Sequence, residues 1–140
     1  MPLLENIGVM SPAFAFGPFQ DVDVAAVQTN VQLILAGAND GVVMPKAGHV
    51  IGMLWTLSSA ASAGSLTIGV SIDGTEDANT TQTVTTATEG YPTWMISDVA
   101  PAFDAGEQIG VEVTTDSGWN ATTADLVVYL IVVFEDWDYH

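Results

Sequence analysis

The feature of this sequence that most limits its fold is the apolar run LVVYLIVVF, Leu126 to Phe134. A strand with one wet face alternates apolar and polar residues, as Gln108–Thr114 does. The later run has no charged residue on either face, although Asp125 and Glu135 flank it directly. It is also far shorter than the roughly 20 apolar residues of a membrane helix. We therefore expect a strand that protein buries on both faces.

Short strands separated by turns account for most of the remaining chain, and convincing helical periodicity is absent. The predicted strands are Val31–Ala36, Val42–Met44, Val50–Ser58, Ser65–Ile72, Thr81–Thr86, Tyr91–Ile96, Gln108–Thr114 and Asp125–Glu135. The dipeptide Asp73-Gly74 is a hairpin signal directly after one of them. About eight short strands with turn signals between them are typical of an antiparallel β-sandwich or barrel. The fold class is therefore all-β.

The N-terminal part of the chain differs from the rest. Prolines interrupt residues 1–25, and Phe14, Phe16 and Phe19 supply large apolar side chains there. This pattern predicts an irregular arm over residues 1–25, followed by a single β-sandwich domain over residues 26–140. A chain of 140 residues has the size of one domain.

Charge limits the partners that such a domain can bind. The net charge is −16, and Lys46 is the one Lys or Arg in the chain. Nucleic-acid binding needs clustered basic side chains, and anionic membrane surfaces attract them, so neither partner is expected. Acidic protein surfaces repel one another, and dissolved salt screens this repulsion. The composition suits a salty habitat and an ordinary acidic protein equally well.

The residues that carry chemistry do not form a recognisable catalytic motif. His49 and His140 have no cysteine or histidine partners at zinc-ligand spacing, and the serines lie outside nucleophile motifs. We expect neither an enzyme nor a bound cofactor or metal. Asp73, Glu76 and Asp77 lie close enough in sequence for a calcium loop, but they lack a complete ligand pattern. A plain acidic hairpin loop is the alternative there.

The aromatic residues allow two interpretations. Tyr91, Trp94 and Trp119 are candidates for a sugar-stacking platform, as is Trp55. Trp55 lies within an apolar strand, however, which favours a place in the core. Trp119 lies in a polar loop, where its side chain can fix the loop onto one end of the sandwich.

A series of segments follows one another in a characteristic order. The segments are AGHVIG (Ala47–Gly52), AGSLTIGVSIDG (Ala63–Gly74), FDAGEQIGVEVTT (Phe103–Thr115), the loop residue Trp119, TADL (Thr123–Leu126) and the final apolar strand (Val127–Phe134). Together they resemble the jelly-roll domains of virion proteins of tailed phages and related viruses, among them capsid decoration proteins, head fibres and some tail appendages. The strong acidity and the N-terminal arm depart from the family pattern.

The resemblance implies a jelly-roll-like sandwich on the capsid surface of a virion, in a capsid decoration or head-fibre protein. It implies a homotrimer that binds the major capsid protein, and it brings no catalytic residues. In a trimer, Tyr129, Ile131 and Val133 are the candidate interface, and they would explain the doubly apolar strand. Phe14, Phe16 and Phe19 are the candidate capsid anchor. The alternatives are a carbohydrate-binding adhesion module of a virion appendage, and a monomer whose arm covers the strand.

Overall fold

Antiparallel strands make up most of the computed structural model, which describes residues 12–35, 41–94 and 99–135. In chain order they are β1 (Ala13–Asp21), β2 (Val31–Gln32), β3 (Ile34–Leu35), β4 (Val42–Val43), β5 (Gly48–Leu57), β6 (Leu66–Ile72), β7 (Thr75–Glu76), β8 (Gln82–Val84), β9 (Glu89–Gly90), β10 (Ala102–Phe103), β11 (Gln108–Thr115) and β12 (Leu126–Phe134). A short 3-10 turn, Ala78–Thr80, precedes β8. The expected all-β class is confirmed.

The strands form two sheets that pack against each other. In the first sheet the order is β10-β5-β12-β1-β3, and β9 also pairs with β5. In the second sheet the order is β2-β11-β6-β7, with β4 beside β11 and β8 beside β6. The protein is therefore an antiparallel β-sandwich. No helix within the described residues is long and apolar enough to span a membrane.

Strand β12 lies in the middle of the first sheet, with β5 on one side and β1 on the other. Its even-numbered side chains point into the sandwich and are buried. These are Leu126, Val128, Leu130, Val132 and Phe134. Its odd-numbered side chains point outward, and none of them is buried. One face of this doubly apolar strand therefore packs into the core, and the other face forms part of the outer surface of the sheet.

The N-terminal segment differs from the expected irregular arm. Residues 1–11 lie outside the described part of the chain, but Ala13–Asp21 forms β1, which pairs with β12 from Ala13↔Val133 to Asp21↔Leu126. The prediction was wrong for this stretch because a strand can accommodate a proline at a bulge, where no ladder hydrogen bond is needed. The register shifts between Phe16 and Phe19, where Gly17 and Pro18 lie.

The hydrophobic core joins both sheets in one cluster. Val70, Val111 and Val113 contribute to it from the second sheet, and Met53 and Leu130 do so from the first. All five are fully buried. Burial of apolar surface stabilises a fold by about 25 cal/mol per Å². The core therefore fixes which face of each sheet points outward, and those outer faces are where partners can bind.

Candidate functional site

The outer surface of β1, β5 and β12 carries apolar side chains that the fold leaves partly uncovered, and we call it the apolar face. Side chains that are directly opposite in neighbouring strands lie on the same side of a sheet. Val127 lies opposite Thr56, Tyr129 opposite Leu54, Ile131 opposite Gly52, and Val133 opposite His49. On the other side of β12, Ala13 and Ala15 lie opposite Val133 and Ile131. The register thus brings the three predicted interface residues onto one surface.

Small residues beside β12 leave its outward side chains standing above the sheet. A β-carbon on Gly17 would lie 2.9 Å from Cδ1 of Tyr129, so this glycine allows the tyrosine ring to lie against the backbone of β1. Gly52 also lies beside Ile131, but it is buried, and a β-carbon there would lie 3.5 Å from Cγ2 of Thr93. The outward side chains of β12 therefore form a ridge with a low position at Gly17 beside Tyr129.

A groove runs beside this ridge. It is lined by Leu54, Thr56, Glu89, Gly90, Tyr91, Val127 and Tyr129, together with Trp55. Tyr91 is 74% exposed, Leu54 44% and Tyr129 38%, which is unusual for large side chains that lie so close together. Leu54 and Tyr91 were missed as interface candidates because only the pairing register shows that they flank Tyr129.

Within the described residues, the strands of the apolar face carry few carboxylates, although the chain has 17 Asp and Glu residues. Neither β5 nor β12 contains a carboxylate, and the acid in β1 is Asp21, at its end beside Leu126. Acidic groups lie at the rim, as Glu89 does. At one end of the rim, Oε1 of Glu135 lies 3.0 Å from Nδ1 of His49. The described part of this acidic protein thus presents a surface poor in carboxylates, on which a similarly acidic partner can dock.

The predicted capsid anchor is divided between the core and the surface. Phe19 is fully buried in the core, so it cannot reach a partner. Phe14 is partly exposed, with its ring centre 5.6 Å from that of Phe134. Phe16 and Phe103 make edge-to-face contacts with the same ring, at 6.5 Å and 6.1 Å. Phe14 and Phe16 therefore belong to an aromatic cluster at one end of the sandwich, where Phe14 reaches the surface.

The tryptophans considered for sugar stacking are mainly structural. Trp119 is buried, and its indole nitrogen donates a hydrogen bond of 3.0 Å to the carbonyl oxygen of Val24. The prediction that it fixes its loop to the sandwich is confirmed, and a sugar-stacking role for it is wrong. Trp55 is buried in the core as predicted, and Gly90 packs against its indole ring. Tyr91 is the candidate whose ring is openly exposed.

The three carboxylates of the possible calcium loop have separate roles. Oδ1 of Asp73 accepts a hydrogen bond of 2.8 Å from the backbone of Gln108, and Oδ1 of Asp77 accepts one of 2.9 Å from that of Asn79. The side chain of Glu76 lies over Gly69 on the outer face of the second sheet. Within the described residues, no group of three or more His, Asp or Glu side chains is arranged to hold a metal ion.

A buried polar network on that second sheet was missed by the sequence analysis. Glu112 is only 5% exposed and accepts a hydrogen bond of 2.5 Å from Nε2 of Gln32. Oε1 of Gln32 in turn accepts one of 2.8 Å from the hydroxyl of Ser71. The alternation in β11 places Glu112 on the outer face, where a carboxylate is normally hydrated. The sequence signal was the small residue opposite it, Gly69.

No family model matches the sequence, and a search of curated proteins finds no significant match.

Proposed function

We propose that this protein is a structural protein of a virion, a capsid decoration or head-fibre protein that binds the capsid surface as a homotrimer. The observation that carries the proposal is the apolar face of an otherwise strongly acidic β-sandwich, where β5 and β12 carry no carboxylate and Glu89 lies at the rim of the groove. The family resemblance of the strand pattern supports the same conclusion. The expected partner is the major capsid protein. This domain would stabilise the capsid shell or project from its surface.

The apolar face suits contact between copies of the chain. Tyr129, Ile131 and Val133 project from β12, and Leu54 and Tyr91 extend the same surface. Its burial would contribute about 25 cal/mol per Å² before the cost of association. A neutral contact also keeps the carboxylates of neighbouring copies at the rim, where solvent and salt screen them.

The aromatic end of the sandwich suits contact with the capsid. Phe14 is partly exposed there and is supported by Phe16 and Phe134. Aromatic side chains held rigidly at a surface are common anchors in protein interfaces. In this arrangement the copies would meet along β12 and present their aromatic ends to the shell.

The test uses particles of the virus that encodes this chain, purified on a density gradient. We expect the protein to sediment with the major capsid protein, and its absence from purified particles would overturn the proposal. Rebinding of the protein to particles that lack it then tests the anchor. The variant Phe14→Glu should rebind more weakly than the wild type, whereas Val27→Glu adds the same charge at an exposed valine and should rebind normally.

A second candidate is a carbohydrate-binding adhesion module of a virion appendage. It is favoured by the groove in which Tyr91 and Tyr129 lie near Glu89 and Thr56, because aromatic faces stack on sugar rings while oxygens accept bonds from sugar hydroxyls. A glycan array distinguishes the two functions. Binding that is lost in Tyr91→Ala, by a protein that is absent from the capsid shell, would favour the adhesion module.

A further inference from the structure

Two glutamates approach each other on the outer face of the second sheet, away from the apolar face. Glu112 on β11 is almost completely buried and lies directly opposite Gly69 on β6. Glu76 on β7 extends over Gly69 from the other side, so that a β-carbon on Gly69 would lie 2.6 Å from Oε2 of Glu76. The glycine thus leaves space between the two side chains, and Glu76 and Glu112 line one cavity there.

The surroundings provide hydrogen-bond donors for one of these groups but not for the other. Glu112 accepts a hydrogen bond from Gln32, and Ser71 holds that glutamine in place. Oε2 of Glu76 is buried and has no hydrogen-bond partner among the described residues. A buried polar atom without a partner destabilises the folded state, because the hydrogen bonds it makes with water are lost and not replaced. Protonation of Glu76 would supply the missing bond.

The charged groups near the pair do not neutralise it. On the turns that flank β7, the carboxylates of Asp73 and Asp77 accept bonds from backbone amides. The facing side chains of β2 and β6, Gln32 and Ser71, are neutral. Two carboxylates in such a place cannot both be ionised without a cost, and this favours a shared proton.

We propose that Glu76 and Glu112 share one proton in mildly acidic solution, so that the carboxyl group of Glu76 donates a hydrogen bond to Glu112 and fastens β7 to the sheet. When the proton leaves, the two negative charges repel each other and β7 is held less tightly. Because β7 lies at an edge of the second sheet, the glutamate pair determines how stably β7 remains paired with β6. This inference does not rest on the proposed virion function.

The electrostatics agree with this geometry. Burial raises the pKa of Glu76 above its ordinary value of 4.5, and the charge of Glu112 raises it further. Because the pKa is higher in the folded state than in the unfolded state, protonation stabilises the fold. The stabilisation is complete below the ordinary value and disappears as the pH rises through the raised one.

The first test follows the carboxyl resonances of all glutamates by NMR as the pH is raised. We expect Glu76 to titrate above its ordinary value, with exposed Glu89 in the same spectra as the internal control. The variant Glu112→Gln keeps the size of the side chain and removes its charge. In this variant the pH midpoint of the Glu76 titration should fall. An ordinary midpoint in the wild type, or an unchanged midpoint in the variant, would overturn the proposal.

The second test measures the closure of β7 by hydrogen exchange. The amide of Asp77 donates a bond of 2.8 Å to the carbonyl oxygen of Val70, next to β7. Its protection, corrected for the intrinsic effect of pH on exchange, should be several-fold greater in mildly acidic than in neutral solution. The amide of Leu33, which donates to Val111, is the control and should change less. An equal change in protection at both amides, or no change at Asp77, would show that the glutamate pair does not hold β7 in a pH-dependent way.

Gly69→Ala provides an independent check because its β-carbon would displace the carboxyl group of Glu76. We expect this variant to lose the raised titration of Glu76 and the pH dependence at Asp77 together. Retention of both in a folded Gly69→Ala protein would show that the glutamates do not meet over Gly69. If the variant does not fold, Glu112→Gln still decides the question.

Discussion

The indole nitrogen of Trp119 donates a hydrogen bond of 3.0 Å to the carbonyl oxygen of Val24, a residue that precedes it by 95 positions. Both side chains are buried. This bond joins the loop after β11 to the segment after β1, at one end of the sandwich. We expect Trp119→Phe to destabilise the protein by about 1–3 kcal/mol, because the buried carbonyl loses its donor. Urea unfolding measures the effect. Val43→Ala alters an exposed side chain outside the proposed contact between copies and should leave the urea midpoint unchanged; equal effects would contradict the role of the bond.

Gly64 contacts the backbone of the same loop. Its φ is +79°, and a β-carbon there would overlap the backbone of Gly118 and Trp119. Gly74 has a similar φ of +81° with open space around it. We expect Gly74→Ala to cost about 1–2 kcal/mol from backbone strain alone. Gly64→Ala should cost clearly more, because the loop must also move. Thermal unfolding followed by tryptophan fluorescence tests this, and a Gly64→Ala protein as stable as Gly74→Ala would contradict the close contact.

Self-association through the apolar face predicts a specific effect of added charge. Light scattering should give three times the chain mass of 14.7 kDa for the wild type. Tyr129→Glu places a carboxylate in the centre of the proposed contact and should lower the mass to that of a monomer. Val43→Glu adds the same charge at an exposed position of β4 and should remain trimeric. Wild-type monomers at both low and high salt would contradict the trimer.

Asp21 should make the stability depend on pH in a defined direction. Burial raises the pKa of Asp21 above its ordinary value, and the charge of Asp125 adds to this effect while a hydrogen bond with Gln28 opposes it. Protonation therefore stabilises the fold at low pH, and this contribution is lost as the pH rises through the raised pKa. We expect Asp21→Asn to raise the midpoint of thermal unfolding at neutral pH, and to raise it less in acid.

The control for Asp21→Asn is Asp104→Asn, which removes the same charge at an exposed site. It reports the general relief of repulsion in an acidic chain. If both variants stabilise the protein equally at every pH, the local burial of Asp21 is not the cause.

The long strands were predictable from sequence because their alternation is regular. The predicted Ser65–Ile72 and Gln108–Thr114 differ from β6 and β11 by one residue each. The two-residue strands β7, β9 and β10 were missed, since an alternating pattern cannot be recognised over only two residues. The run predicted as Val31–Ala36 became β2 and β3, which belong to different sheets. Hydrophobicity alone does not show which sheet each half joins.

The candidate site was predictable where it depended on one strand and not where it depended on pairing. Alternation within β12 was enough to place Tyr129, Ile131 and Val133 on a common face. Leu54 joins them only through the register between β5 and β12. Phe19 was misassigned to the anchor because the bulge after Phe16 changes which side chains of β1 turn inward, and sequence does not reveal a bulge.

The pairing of β1 with β12 also has a consequence for synthesis on the ribosome. Ala13 and Val133 are partners, although some 120 residues separate them. The first sheet therefore cannot close until β12 has emerged, and until then β1 and β5 lack the strand that lies between them. Such distant pairings fold slowly, typically in milliseconds to seconds, and leave strand edges open while they form. During that interval, repulsion between the acidic side chains of nascent chains would help to keep those edges apart.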